Sequence, residues 1–207
     1  MHYAALMDEQ AATLARTIGA RVKAERKLLD WTLDQLADAA GVSRRMVVNV
    51  EQGAANPSVG TLLRLSDALG VGLPALVEPP ASREPQVTRR GNGAVLWSGK
   101  SGGTGVLVAG TESPDVVELW DWALAAGERH VSEAHAAGTR ELLHVLSGAI
   151  SVDTAGAVYE LGAGDALSFR GDEDHAYANP HQDLARFSLA VFEPGVGAGH
   201  RSEAADA

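Results

Sequence analysis

The sequence predicts two domains of different class: an all-α helix-turn-helix bundle followed by an all-β sandwich or small barrel. Three observations predict this. Apolar residues recur at three- and four-residue spacing through the first 78 residues. The stretch EPPASREPQ then places three prolines between Glu78 and Gln86. Beyond it, short runs rich in Val, Leu, Trp and Phe alternate with glycine-bearing turns. The expected organisation is therefore a helical domain at 1–78, a semi-rigid linker at 79–86, a β domain at 87–194 and a small, polar, flexible tail at 195–207.

In chain order, Leu14, Ile18, Val22 and Leu29 form one face of a helix over residues 13–29. Thr32 and Gln35 have the spacing of a capping box, in which Thr32 caps a helix and Gln35 bonds back to its start. That helix runs to about Ala40 and stops at Gly41, and Ser43 caps another that ends before Gly53. Asn56-Pro57-Ser58 opens a fourth helix with Leu62, Leu65 and Leu69 on one side, and Leu73–Leu76 forms a short fifth. Eight strand-like runs follow: AVLW, GVLVAG, VVELWDWAL, ELLHVLSG, AISVDT, AVYELGAGD, ALSFRG and ARFSLAVFEP.

The bulk properties narrow the function. The chain has no cysteine, which excludes disulfides and thiolate metal sites and suits a reducing cytosol. Asp8, Glu9, Arg16 and Arg21 interrupt the first thirty residues, so no signal peptide is expected. Nor is there a run of about 18 apolar residues, so no membrane span is expected, and the expected location is cytoplasmic. The net charge of −10 is unevenly spread: residues 1–80 carry 8 Lys/Arg and 9 Asp/Glu, residues 81–207 carry 9 and 18. The acidity belongs to the second half, which leaves the first free to present a basic face to DNA.

Within residues 33–52, Ala37 supplies the small residue that two crossing helices need, and Gly41 the left-handed turn between them. Leu36, Ala40, Val42, Val47 and Val50 fall where side chains point between the helices. Through TLDQLADAAGVSRRMVVNVEQG and ANPSVGTLLRLSDALGVGL the chain resembles the phage-repressor-like (XRE-type) helix-turn-helix family over about residues 15–77. The resemblance implies that the helix from Ser43 to Gln52 enters the major groove of double-stranded operator DNA. Arg44, Arg45, Val48 and Asn49 then face outward. Arginine pairs bidentately with guanine and asparagine with adenine, each worth roughly 1–3 kcal/mol of discrimination. The amides at the starts of the helices capped by Thr32 and Ser43 suit phosphate. Leu33 stands where the family commonly has a polar residue, often glutamine.

The second half resembles the cupin family over about residues 90–193, which narrows the all-β choice to a small barrel, the double-stranded β-helix. HAAGTRELLHVLSG supplies His135, Glu141 and Gly148 of the first family motif, with Ala137 replacing its second histidine. GDALSFRGDEDHAYAN supplies Gly164, His175 and Asn179 of the second, with Arg170 for the proline and Asp172 for the glycine. The resemblance implies a divalent metal site, for Zn, Fe or Mn, made by His135, Glu141 and His175. With a quarter of the usual ligands missing, a metal-free pocket that binds a small effector through the same residues is preferred, and both remain open. His144 falls on the opposite face of its strand, and His130, His181 and His200 are expected at the surface. Trp120 and Trp122 share a face that either lines an apolar pocket or packs the core, with Glu118 unexpectedly in phase.

The combined expectation is a homodimeric, ligand-responsive transcription regulator with no catalytic residue of its own. The alternative is a metal-dependent cupin enzyme, of dioxygenase or isomerase type, fused to a helix-turn-helix.

Overall fold

The computed structural model describes residues 2–54, 57–77 and 85–197. Most of the expected linker, Asn56 of the fourth-helix start, His200 and tail residues 198–207 lie outside them. Among the described residues, no helix is long and apolar enough to cross a membrane.

Among the described residues the first unit contains five helices: α1 (His2–Leu28), α2 (Leu33–Ala39), α3 (Arg44–Glu51), α4 (Val59–Leu69) and α5 (Leu73–Val77). The first helix thus begins eleven residues before its expected start at residue 13. The capping box forms: Thr32 Oγ1 accepts from the Gln35 amide and Gln35 Oε1 from the Thr32 amide. Ser43 and Ser58 cap α3 and α4 through the amides of Met46 and Thr61. Gly41 turns the chain at φ +61°. Leu36, Ala37, Val47, Val50, Leu62 and Leu65 close the core. Close approach of α1 and α3 depends on Gly19, where a Cβ would fall 2.2 Å from the Val50 carbonyl oxygen. Arg26 of α1 clamps Glu51 of α3 bidentately at 2.6 and 2.9 Å and donates to the Trp31 carbonyl at 2.7 Å.

Among the described residues the second unit contains ten strands, β1 (Ala94–Ser98), β2 (Thr104–Gly110), β3 (Val116–Leu124), β4 (Arg129–Ser132), β5 (Arg140–Ser147), β6 (Ala149–Thr154), β7 (Ala157–Gly162), β8 (Ala166–Arg170), β9 (His175–Ala178) and β10 (Ala185–Glu193). They form two antiparallel sheets, ordered β1-β2-β3-β10-β5-β8 and β4-β9-β6-β7. β3, β10 and residues 140–146 of β5 alternate strictly between buried and more exposed residues, the period-2 signature of a sheet with one face on the core. Two strands, β4 and β9, are additional to the eight sequence runs. Each has four residues, too short to display an alternation, and they pair with each other. The expected looseness of residues 195–197 does not hold for Val196. It is buried, and its amide donates to the Pro114 carbonyl at 2.7 Å.

Candidate DNA-reading helix and barrel site

The first candidate surface is α3. Val47 and Val50 turn inward, while Arg44 and Arg45 are exposed; Val48 and Asn49 are half-buried at the margin rather than fully outward. The acidic residue of this helix, Glu51, is engaged by Arg26 and adds no free negative charge beside the arginines. An acidic neighbour that periodicity on α3 alone does not reveal comes from α2, where Asp34 pairs with Arg44 at 3.1 Å. Both groups are largely exposed, so this pair contributes little, about 0–1 kcal/mol, and a phosphate can replace the carboxylate.

The second candidate site lies inside the barrel. His135, Glu141 and His175 come together from the loop before β5, from β5 and from β9, their ligand atoms all within 4.8 Å of one another. Glu141 Oε1 lies 3.1 Å from His135 Nε2 and 3.2 Å from His175 Nε2. The site is built by its loops. The His135 amide donates to the Gly171 carbonyl, the Ala134 amide to Asp174 and the Gly138 amide to Asp172, pinning the histidine loop to the β8–β9 turn. Gly171 leaves room for the carboxylate, since a Cβ there would lie 3.1 Å from Glu141 Oε1. Asp172, in the family's glycine position, serves as an acceptor for the opposing loop.

Protonation follows from these contacts. His175 Nδ1 lies 2.8 Å from the Glu173 carbonyl, which only accepts, so Nδ1 carries the proton and a neutral His175 offers a lone pair at Nε2. Burial pushes the Glu141 pKa up, but the two imidazoles overcome it and hold the carboxyl at about 2. For His175, burial lowers the pKa, and the facing Glu141 carboxylate more than restores it, leaving it raised. Tyr177 donates its hydroxyl to Glu141 Oε2 and is itself buried, with its pKa pushed well up, first by burial and then by the Glu141 charge. Tyr177 was not visible as a site residue in the sequence; its place two residues after His175, on the same face of a strand, is the signal that a recognised β9 would have supplied.

The donor set fits a divalent cation. Glu141 Oε1 and His175 Nε2 are buried yet neither makes an aligned hydrogen bond. Ligands about 2.1 Å from a metal, at octahedral to tetrahedral angles, lie about 3.0–3.4 Å apart, which matches the two carboxylate–imidazole separations. Ala137, at the position of the absent ligand, is exposed, and His144 is exposed on the outer face as expected.

A wall of rings adjoins the cluster. Trp120 and Trp122 are buried, and Trp120 Nε1 donates to Glu118 Oε2 at 2.8 Å, which accounts for an acid in phase with two tryptophans. His130 corrects the sequence reading: it is not a plain surface residue. Its ring packs 4.8 Å from Trp122 and 5.4 Å from Trp97, and stacks on Tyr177. Burial, with the nearby His175 adding to it, lowers its pKa to about 4. His181 is about half exposed, at 4.0 Å from Glu160.

A capped two-helix motif and a barrel with an inward-facing His/Glu cluster define the class: the chain carries an XRE-type helix-turn-helix domain joined to a cupin domain. Residues 22–76 match the Helix-turn-helix family and residues 120–192 match the Cupin domain family. Across both domains the chain is 26% identical over 182 residues to the HTH-type transcriptional regulator SutR of Escherichia coli (strain K12), covering 87% of this chain and 97% of that protein. The crystal structure of an HTH_3 family transcriptional regulator from Vibrio cholerae superposes with a TM-score of 0.69 at 25% identity, over 89% of this chain and 99% of that one. The immunity repressor protein of Bacillus phage phi105 is 41% identical over 61 residues, 30% of this chain and 42% of that repressor.

Proposed function

We propose that this protein is a DNA-binding transcription regulator that reads an operator through α3 and adjusts its binding to a small molecule held in the barrel. The observation that carries the first part is the exposed Arg44–Arg45 pair at the capped start of α3, the end of a recognition helix that approaches base edges. Likeness over both domains to proteins named as transcriptional regulators supports the same reading. An eight-residue helix covers one half-site, so the working form is a homodimer with half-sites about one helical turn apart.

For the barrel, the unaligned Glu141 Oε1 and His175 Nε2 favour a divalent cation held by His135, Glu141 and His175 over the metal-free network. When bound, such an ion supplies open coordination positions for an oxygen- or nitrogen-bearing effector. The chain's own part is to hold Glu141 through Tyr177 and to orient His175 through Glu173. Effector binding that prefers one arrangement of the dimer shifts operator affinity by linkage. Open positions are also what a metal-dependent cupin enzyme needs, and turnover of a substrate by the metal-loaded protein would establish that alternative.

The deciding experiment selects genomic fragments on the purified protein at moderate salt and sequences what is retained. Enrichment of inverted repeats is the expected result. Uniform retention without a shared sequence, with binding that collapses as salt rises, would overturn operator reading.

A further inference from the structure

We infer that Ser132 supplies a fourth, exchangeable contact to a cation held by His135, Glu141 and His175, and marks the position at which an effector oxygen enters. The inference rests on the metal-bound reading of the barrel given above and names the group beside its open side. The register of β4 on β9 places Ser132 opposite His175. Residues directly opposite in an antiparallel pair point to the same face, with Cβ atoms about 4.5–5.5 Å apart, so the Ser132 side chain shares the inner face with a ligand. Its Oγ lies 3.4 Å from His135 Nε2. That is longer than a well-formed hydrogen bond between such groups, roughly 2.7–3.2 Å. It matches instead the separation of about 3.0–3.4 Å expected of two atoms that share one ion. The Glu141 oxygen stands in the same relation to both imidazoles, at 3.1 and 3.2 Å.

The chemistry of the hydroxyl fits that place. The Glu133 carbonyl, 3.3 Å from Ser132 Oγ, only accepts, so it takes the hydroxyl proton and leaves the oxygen lone pairs available to a cation. Ala137, where the family carries a ligand, has no donor side chain. Burial sets Ser132 apart from the other three. The side chains of Glu141 and His175 are closed to solvent and that of His135 is 8% exposed, whereas Ser132 is half-buried at the end of β4. An effector therefore reaches the cluster from the Ser132 side. Its class follows from charge. Glu141 brings one negative charge to a dication, and Ser132 brings none, so a net positive charge remains at the ion. A carboxylate or similar anionic oxygen binds there more strongly than a neutral hydroxyl and displaces it.

The test uses the full chain loaded with Co²⁺ under reducing conditions, wild type against Ser132→Cys, Ser132→Ala and, as a control on the outer side of β6, Ser151→Cys. The chain has no cysteine, so a thiolate–cobalt charge-transfer band in the near ultraviolet reports the new side chain alone. The expected result is that band in S132C and not in S151C. Acetate, the probe for an anionic oxygen, should shift the visible cobalt spectrum of wild type but not of S132C. Co²⁺ binding should weaken about tenfold in S132A, the low end of what groups around a metal ligand contribute. A folded S132C with the wild-type visible spectrum and no charge-transfer band would overturn the contact. A charge-transfer band together with a wild-type acetate response upholds the contact and removes the entry position. Should S132C fail to fold, unchanged Co²⁺ affinity and acetate response in S132A would overturn the proposal. A folded wild type that takes up no Co²⁺ overturns the metal-bound reading itself, and the role of Ser132 with it.

Discussion

The Tyr177 hydroxyl donates to Oε2 of Glu141, and the buried carboxylate therefore turns its other oxygen, Oε1, toward Nε2 of both His135 and His175. A residue from β9 thus decides which face a β5 carboxylate presents to the centre of the barrel. Tyr177→Phe keeps the ring and removes the donor. Partners that orient a metal ligand typically contribute 10–100-fold to affinity, so Co²⁺ binding should weaken by roughly that factor, with an altered visible spectrum. Leaving Oε2 unpaired should also cost about 1–3 kcal/mol of stability. Identical spectra and affinities in the two proteins would show that Tyr177 only fills space.

Glu141→Gln gives a complementary result. The amide keeps the shape but removes the charge that the two imidazoles face, so metal binding should be lost while the barrel still folds. Equilibrium dialysis against Zn²⁺ or Mn²⁺ measures the loss directly; undiminished stoichiometric binding would place the metal elsewhere.

On α3, replacing Arg44 or Arg45 with alanine should each weaken operator binding by about 1–3 kcal/mol if it pairs with a guanine. Asp34→Asn should act in the opposite direction, because it frees Arg44 from its carboxylate partner. Fluorescence anisotropy at several salt concentrations separates the two kinds of contact: a lost phosphate contact flattens the salt dependence, whereas a lost base contact relaxes sequence preference.

The Arg26–Glu51 pair locks α1 to the end of α3, with both side chains mostly buried. Glu51→Gln leaves the guanidinium without its counter-charge and should destabilise the helical domain by about 3 kcal/mol. Denaturant unfolding followed by far-UV circular dichroism measures this, and a change below the error of the method would reclassify the pair as a surface interaction.

His130 makes a pH prediction of defined sign. Its folded pKa is lowered to about 4, chiefly by burial, against an ordinary value of 6.5. The unfolded chain therefore binds the proton more readily, and acidification from pH 6.5 towards 4 favours unfolding through this group. Its contribution is fully present above pH 6.5. In His130→Phe the decline over that window should be shallower than in wild type, as measured by urea midpoints across the range; parallel curves would mean that the ring is solvated.

The helical domain was largely legible in the sequence because its determinants are local. Thr32, Gln35, Ser43 and Gly41 act on backbone groups within a few residues, so caps and turn can be read directly from spacing. His135, Glu141 and His175 were legible as a set through the family resemblance, although their convergence depends on three separate segments. Strand pairing was less accessible. With four residues each, β4 and β9 have too little sequence to show a period, and their partners are distant in the chain. Missing them concealed His130 among the rings and Tyr177 on the carboxylate.

The sequence by itself determined two domains and the capped helix α3, because periodicity and capping are short-range properties, and the family resemblance added the residues able to ligate a cation. Only the tertiary structure decided that Tyr177 holds Glu141, that Asp34 shadows Arg44, that Arg26 ties down Glu51 and that Ser132 of β4 lies opposite His175 of β9. Each of these relationships joins different elements, and its physical origin is the meeting of surfaces whose register no single segment encodes.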